Sequence, residues 1–273
     1  MSPGETNPAP VNGEKVKIYL LPNLFTAGNL ACGFFALTWI FKYLPESGDF
    51  EPIRRAIWLI FGAFACDFFD GRVARIAKRE SPFGREFDSL ADIVSFGVAP
   101  AFLVYRIVLI QFERSGWLIA AMYLVCGGIR LARFNILSQM GTKTKGEFVG
   151  FPIPSAAAVV VSMTMFMMWL SGHNRELGNS RWVLMGLMVL LSILMVSNVR
   201  YPSFKNVEWT LQRGVAALAG AVLVLLLLVT QPEVTLAGLF VLYLLYGLVR
   251  PWVSKRWRRE IESDEDEDET PAA

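Results

Sequence analysis

Asp67-Phe-Phe-Asp70-Gly71-Arg72-Val-Ala74-Arg75 closes one strongly apolar stretch, and Gly84-Arg-Glu-Phe-Asp88-Ser-Leu-Ala-Asp92 opens the next. Four carboxylates therefore stand where two apolar runs meet a short basic loop, Lys78-Arg79. Ionisable groups at the end of a membrane helix are expensive. Unpaired carboxylates in such a cluster would repel one another and be lost to protonation. A divalent cation removes that problem. At about 100° per residue Asp67, Asp70 and Ala74 share one helix face, with Gly71 and Arg75 flanking it. Asp88 and Asp92 form an i, i+4 pair. Two antiparallel helices joined by a short loop bring both pairs together, as oxygen ligands for Mg²⁺ or Mn²⁺ require. Gly71 and Ala74 leave room for a ligand to approach the backbone, Arg75 offers a phosphate partner, and Gly84 allows the turn.

Working outward, 54% of the 273 residues are hydrophobic, above the roughly 45–50% of soluble domains. The reading is an all-α, polytopic membrane protein. Apolar runs long enough for about 30 Å of hydrocarbon fall at Leu20–Leu44, Ile57–Ile76, Ser89–Ile110 and Trp117–Leu137. Four more follow at Ile153–Leu170, Trp182–Val199, Val215–Thr230 and Val234–Val249. Pro152 and Pro154 start the fifth of these eight spans or shape the entrance to a site. The first run is too long and lacks the basic start and cleavage site of a signal peptide.

Cytoplasmic loops hold the excess of Lys and Arg. With the N-terminus inside, only Lys42, Arg54, Arg55, Arg106, Arg114, Arg175 and Arg181 of the 26 basic residues fall outside. Both termini and the aspartates are then expected on the cytoplasmic side of the cell membrane. The net charge of +2 conceals an asymmetry, because every charged residue from Glu260 onward is acidic. A basic cytoplasmic face suits anionic lipids and phosphate-bearing substrates. No nucleic-acid partner is expected. Residues 1–14 read as an unstructured lead, Lys15–Leu21 as a short interfacial helix, and 260–273 as a disordered acidic tail.

Cys32, Cys66 and Cys126 are odd in number, widely spaced and inside apolar runs, so they read as packing residues. His173 is the only histidine, which leaves hard oxygen ligands for any metal. A pair of intramembrane acids taken alone is about as compatible with an ion pathway as with a catalytic metal site, and a cation transporter stands as the alternative from another class. The interposed Gly, Ala and Arg favour the catalytic reading.

The pattern D-x2-D-G-x2-A-R-x8-G-x3-D-x3-D, met at Asp67, Asp70, Gly71, Ala74, Arg75, Gly84, Asp88 and Asp92, resembles the signature of the CDP-alcohol phosphotransferase family. That resemblance implies two divalent cations, Mg²⁺ or Mn²⁺, held by Asp67, Asp70, Asp88 and Asp92, with Asp92 also the catalytic base. It implies a nucleotide and CDP-lipid site at Asn23, Thr26, Asp67, Gly71, Ala74, Arg75, Ser81 and Gly84, and a homodimer. The segments Leu21–Gly33, Arg130–Asn135, Gly150–Ala157 and Ser197–Lys205 look like the bacterial integral-membrane branch that makes phosphatidylserine. Its implied reaction takes CDP-diacylglycerol and L-serine and releases CMP. The implied organisation is a six-helix catalytic membrane domain over 15–205, then two additional spans and a basic end over 206–259.

Arg130 and Arg133 are three apart at the inner end of the fourth span, at the depth of the aspartates. They either receive the carboxylate of serine or a lipid phosphate, with Asn135 as a neutral hydrogen-bonding neighbour, or snorkel as interface anchors. Arg200 and Lys205 are open to the same two roles. Another acceptor, such as inositol phosphate, glycerol phosphate or choline, is the nearest alternative to serine.

Overall fold

The computed structural model describes residues 20–77, 82–139, 147–172, 180–197, 200–202 and 211–249. The expected lead, interfacial helix before residue 20, Ser81, Lys205 and the acidic tail lie outside them. Nearly everything described is helix: α1 Leu20–Lys42, α2 Glu51–Ala77, α3 Pro82–Asp92, α4 Ala99–Ile107, α5 Glu113–Gln139, α6 Ile153–Gly172, α7 Ser180–Val196, α8 Leu211–Thr230 and α9 Pro232–Val249. The π-helical turn Ile93–Val98 joins α3 to α4 as one rod.

Five of these rods are long and apolar enough to cross a membrane: Asn23–Lys42, Pro82–Ile107, Leu109–Leu137, Ile153–Ser171 and Pro232–Val249. With α2, α7 and α8 they occupy the eight expected positions. α2 is long enough at 27 residues, but Arg54, Arg55, Asp67, Asp70 and Arg72 interrupt its apolar character. It starts at Glu51 rather than Ile57 because Asp49 Oδ1 accepts the Glu51 N–H at 2.9 Å and Arg55 Nε pairs with Glu51 Oε1 at 3.0 Å. Both devices stabilise a helix start. The third rod likewise begins at Pro82, where a proline's missing N–H is harmless. Gly84 is consequently helical and does not make a turn.

Two apolar clusters hold the bundle together. One gathers Ile40, Ile53, Ile57 and Ile60 of the α1–α2 pair with Leu103, Val161 and Met165. The larger one joins α4, α5, α6 and α7 through Phe96, Tyr123, Phe151, Ile153, Met188 and Leu191. Outward, Phe34, Phe35, Phe41, Leu218, Leu225 and Val229 are exposed. On a bundle of this composition that is a surface for acyl chains.

The π turn has an identifiable cause. Pro100 has no N–H for the carbonyl of Phe96, four residues back, and its ring would clash with that carbonyl in a regular helix. The turn widens there, with Ala99 N–H donating to Val94 O. The fully buried Tyr123 on α5 donates its hydroxyl to Phe96 O at 3.2 Å. Tyr123→Phe should therefore lower the unfolding free energy by about 1–2 kcal/mol, read as a lower thermal midpoint in detergent with no change in helix content.

One feature lies outside the helical pattern. Glu147–Val149 pairs antiparallel with Arg200–Pro202, Val149 opposite Arg200. The ribbon leads into Gly150, whose φ of +83° and close approach to Met195 O, 2.6 Å from where a Cβ would stand, leave space for glycine alone. Phe151 N–H then donates to Leu194 O at 3.1 Å. Pro152 and Pro154 bracket the first residue of α6, as the sequence predicts.

Candidate active site

α1 sends Thr26 and Asn29 toward the aspartates, a spacing of three that keeps them on one face. α2 brings Asp67 and Asp70, and α3 brings Asp88 and Asp92 on successive turns. Oxygens of Asp67, Asp88 and Asp92 all lie within 4.8 Å of one another. Like charges at that separation repel by a few kcal/mol per pair, even at an effective dielectric constant of about 20.

Asp70 lies outside this trio but within electrostatic reach of Asp67 and Asp88. It is buried, and its Oδ2 accepts a hydrogen bond from the Thr26 hydroxyl. Thr26, expected near the nucleotide, thus also fixes an aspartate. Asp92 is equally buried, and its Oδ1 accepts Asn29 Nδ2 at 3.2 Å. Asn29 is in turn held by its own carbonyl, which accepts the Ser95 hydroxyl at 2.9 Å. Ser95 is brought to α1 by the π turn, and a Cβ at Gly33 would overlap it. Glycine at 33 is what permits this approach.

Asn29 and Ser95 were not among the residues singled out in the sequence. Their partners are 63 and 66 residues away, so no local spacing announces them. Asn135 does face the site's flank, but its Nδ2 donates to Ser89 Oγ at 2.8 Å. It braces α5 to α3 beside Asp88. Arg130 is buried, its guanidinium lies 5.3 Å from the Phe134 ring centre, and it is within electrostatic reach of Asp92. Arg133 is half-buried. Gly71 faces open space, with nothing among the described residues within 4 Å of where a Cβ would be. Ala74, Arg75 and Arg200 are placed in their backbone only: the first two in the last turn of α2, the third in the ribbon.

Native proteins pair nearly all of their buried polar atoms. Among the described residues four side-chain atoms are buried without a partner: Asn23 Nδ2, Asn29 Oδ1, Asp88 Oδ1 and Arg130 Nε. Three of them, on Asn29, Asp88 and Arg130, belong to the cluster around Asp92. A donor and two acceptors left open around three converging carboxylates describe a site shaped for a polar ligand and a hard cation.

Residues 19–196 match the family model described as CDP-alcohol phosphatidyltransferase. The chain belongs to that family. Curated relatives include proteins named CDP-diacylglycerol–serine O-phosphatidyltransferase. The one from Helicobacter pylori J99 is 40% identical over 236 residues, 86% of this chain and 92% of the relative. That from Bacillus subtilis is 36% identical over 68% of this chain and 92% of its own length. The one from Methanocaldococcus jannaschii is 35% identical over 70% and 82%. Family membership removes the transporter alternative and makes the chain an integral-membrane transferase of phospholipid biosynthesis.

Proposed function

We propose that the protein transfers the phosphatidyl group of CDP-diacylglycerol to L-serine, giving phosphatidylserine and CMP. The observation that carries this reading is the set of unpartnered buried atoms around the Asp67, Asp88 and Asp92 oxygens, in a family with serine-using relatives.

The donor set fits a divalent cation. It is all oxygen, anionic and convergent, as Mg²⁺ and Mn²⁺ prefer, and Asp88 Oδ1 is buried with no competing partner. Asp67, Asp88 and Asp92 would hold one ion, and Asp70, steadied by Thr26, would serve a second. Bound there, divalent cations neutralise the pyrophosphate of the donor and stabilise the departing CMP.

The chain's own groups do the rest. Asn23 and Thr26 on α1, with Gly71, Ala74, Arg75, Ser81 and Gly84, border the nucleotide and its phosphates. Arg130 Nε and its guanidinium face an anionic group of the incoming acceptor, with Arg133, Arg200 and Lys205 as further cations on that side. Asp92, oriented by Asn29, takes the serine hydroxyl proton while the serine oxygen bonds to the β-phosphorus and the bond to CMP breaks. The excess of basic residues on the loops of this side supports a cytoplasmic placement of site and termini. A catalytic unit over residues 15–205, acting as a homodimer, belongs to the same reading.

The test is a purified enzyme in detergent with CDP-diacylglycerol, Mg²⁺ or Mn²⁺, and a panel of acceptors: serine, glycerol phosphate, inositol phosphate and choline. Metal-dependent CMP release with serine alone is the expected outcome. Release with another alcohol in its place would reassign the acceptor, and release with none would overturn the reading.

A further inference from the structure

α3 carries two of the three converging aspartates, yet it is only 11 residues long. Much of it is open, with Pro82, Phe83, Arg85, Glu86 and Leu90 exposed. A helix this short owes its place to what it packs on. Its end is secured through Asp92, which accepts from Asn29 on α1. Asp88, one turn earlier, has no such tether on its Oδ1, which is buried and without a partner among the described residues. Its place has to come from the helix.

At that turn α3 is tied to α5. Ser89, next to Asp88, donates its hydroxyl to Arg85 O at 3.0 Å. With its one hydrogen committed there, Ser89 Oγ can only accept, and Asn135 Nδ2 donates to it at 2.8 Å. Both residues are half-buried. On α5, at 100° per residue, Asn135 is turned about 140° from Arg130 and about 160° from Arg133. The sequence groups the three, and the helix separates them.

We propose that Asn135 is a positioning residue of the metal centre: by holding Ser89 it sets the turn of α3 that presents Asp88 to the cation. It serves the ion, not the acceptor beside which the sequence places it. The proposal rests on the metal reading of Asp67, Asp88 and Asp92 given above.

Mn²⁺ binding, followed by loss of the free-ion EPR signal, and serine titrations of CMP release test it on full-length Asn135→Ala, Ser89→Ala and the double variant. Each single change should weaken Mn²⁺ binding about 3- to 10-fold, with the serine KM at saturating Mn²⁺ as in the parent. The double variant should match the singles, because both changes break one contact and interacting residues fail to add. Arg106→Gln, which removes the donors to Tyr43 O beyond the other end of α1, is the control. It should lower the thermal midpoint without moving the Mn²⁺ affinity. Parent-like Mn²⁺ binding in Asn135→Ala, whether or not its stability falls, overturns the proposal. Losses that add in the double variant overturn it too. A raised serine KM at saturating Mn²⁺ makes Asn135 an acceptor residue, with the same result. A parent that binds no Mn²⁺ overturns the metal reading and the proposal with it.

Discussion

Asp67→Asn and Asp88→Asn should each lower turnover by more than about a hundredfold while leaving a folded, membrane-inserted protein. Loss of a group that only supports a metal ligand already costs 10–100-fold in metal affinity or activity. A ligand of the ion itself should exceed that. Asparagine keeps the size of the side chain and one carbonyl oxygen but removes the charge that a hard cation selects. It also removes repulsion among oxygens that stand within 4.8 Å of one another, so the metal-free variants should be at least as stable as the parent. Loss of activity with retained or raised stability is the signature of a charge cluster maintained for a ligand. CMP release against metal concentration, together with thermal unfolding with and without Mn²⁺, reads both sides. Near-parent turnover in either folded variant would remove the metal assignment.

Asp70 should behave differently from these two. Its carboxylate is tied to the Thr26 hydroxyl, so Asp70→Ala removes an α1–α2 contact as well as a charge. The aspartate signature treats the four acids alike, and only the fold separates a converging trio from a fourth that is anchored to α1.

What the sequence makes legible follows from period and spacing. Asp67 with Asp70 and Asp88 with Asp92 are neighbours on single helices, so their faces are set by the 3.6-residue turn. The eight apolar runs are similarly local, and their positions hold to within a few residues at most ends. The exceptions are the starts of α2 and α3, where Asp49 and Pro82 are helix-start signals that lie upstream of the apolar pattern. Contacts between helices are another matter. Asn29 meets Asp92, and Ser95 meets the Asn29 carbonyl, across more than sixty residues. That approach depends on the bare Cα of Gly33 and on the π turn that Pro100 imposes. Neither has a period. The short ribbon of Glu147–Val149 with Arg200–Pro202 is equally silent, because three residues per strand carry no alternation to detect. Arg200, an acceptor-site cation or an interface anchor in the sequence, is a ribbon residue in the fold.

Asp92→Asn should abolish turnover, by about 10²–10⁴-fold for loss of a general base, yet weaken CDP-diacylglycerol binding less than Asp67→Asn does. The geometry adds a reason to the chemical one. Asp92 Oδ1 is already engaged by Asn29, and Asn29 is locked through Ser95 to the turn directly after Asp92. Asn29 fixes the orientation of this carboxylate without itself bringing a charge to it. Asparagine at 92 can still accept from Asn29, so the fold around it should persist and the loss should be chemical. Asn29→Ala then separates orientation from basicity: the base remains but its tether is gone, so turnover should fall without vanishing, and CDP-diacylglycerol binding should stay close to that of the parent. Equal loss of CDP-diacylglycerol binding in Asp92→Asn and Asp67→Asn would make Asp92 chiefly a ligand, with the serine proton leaving by another route.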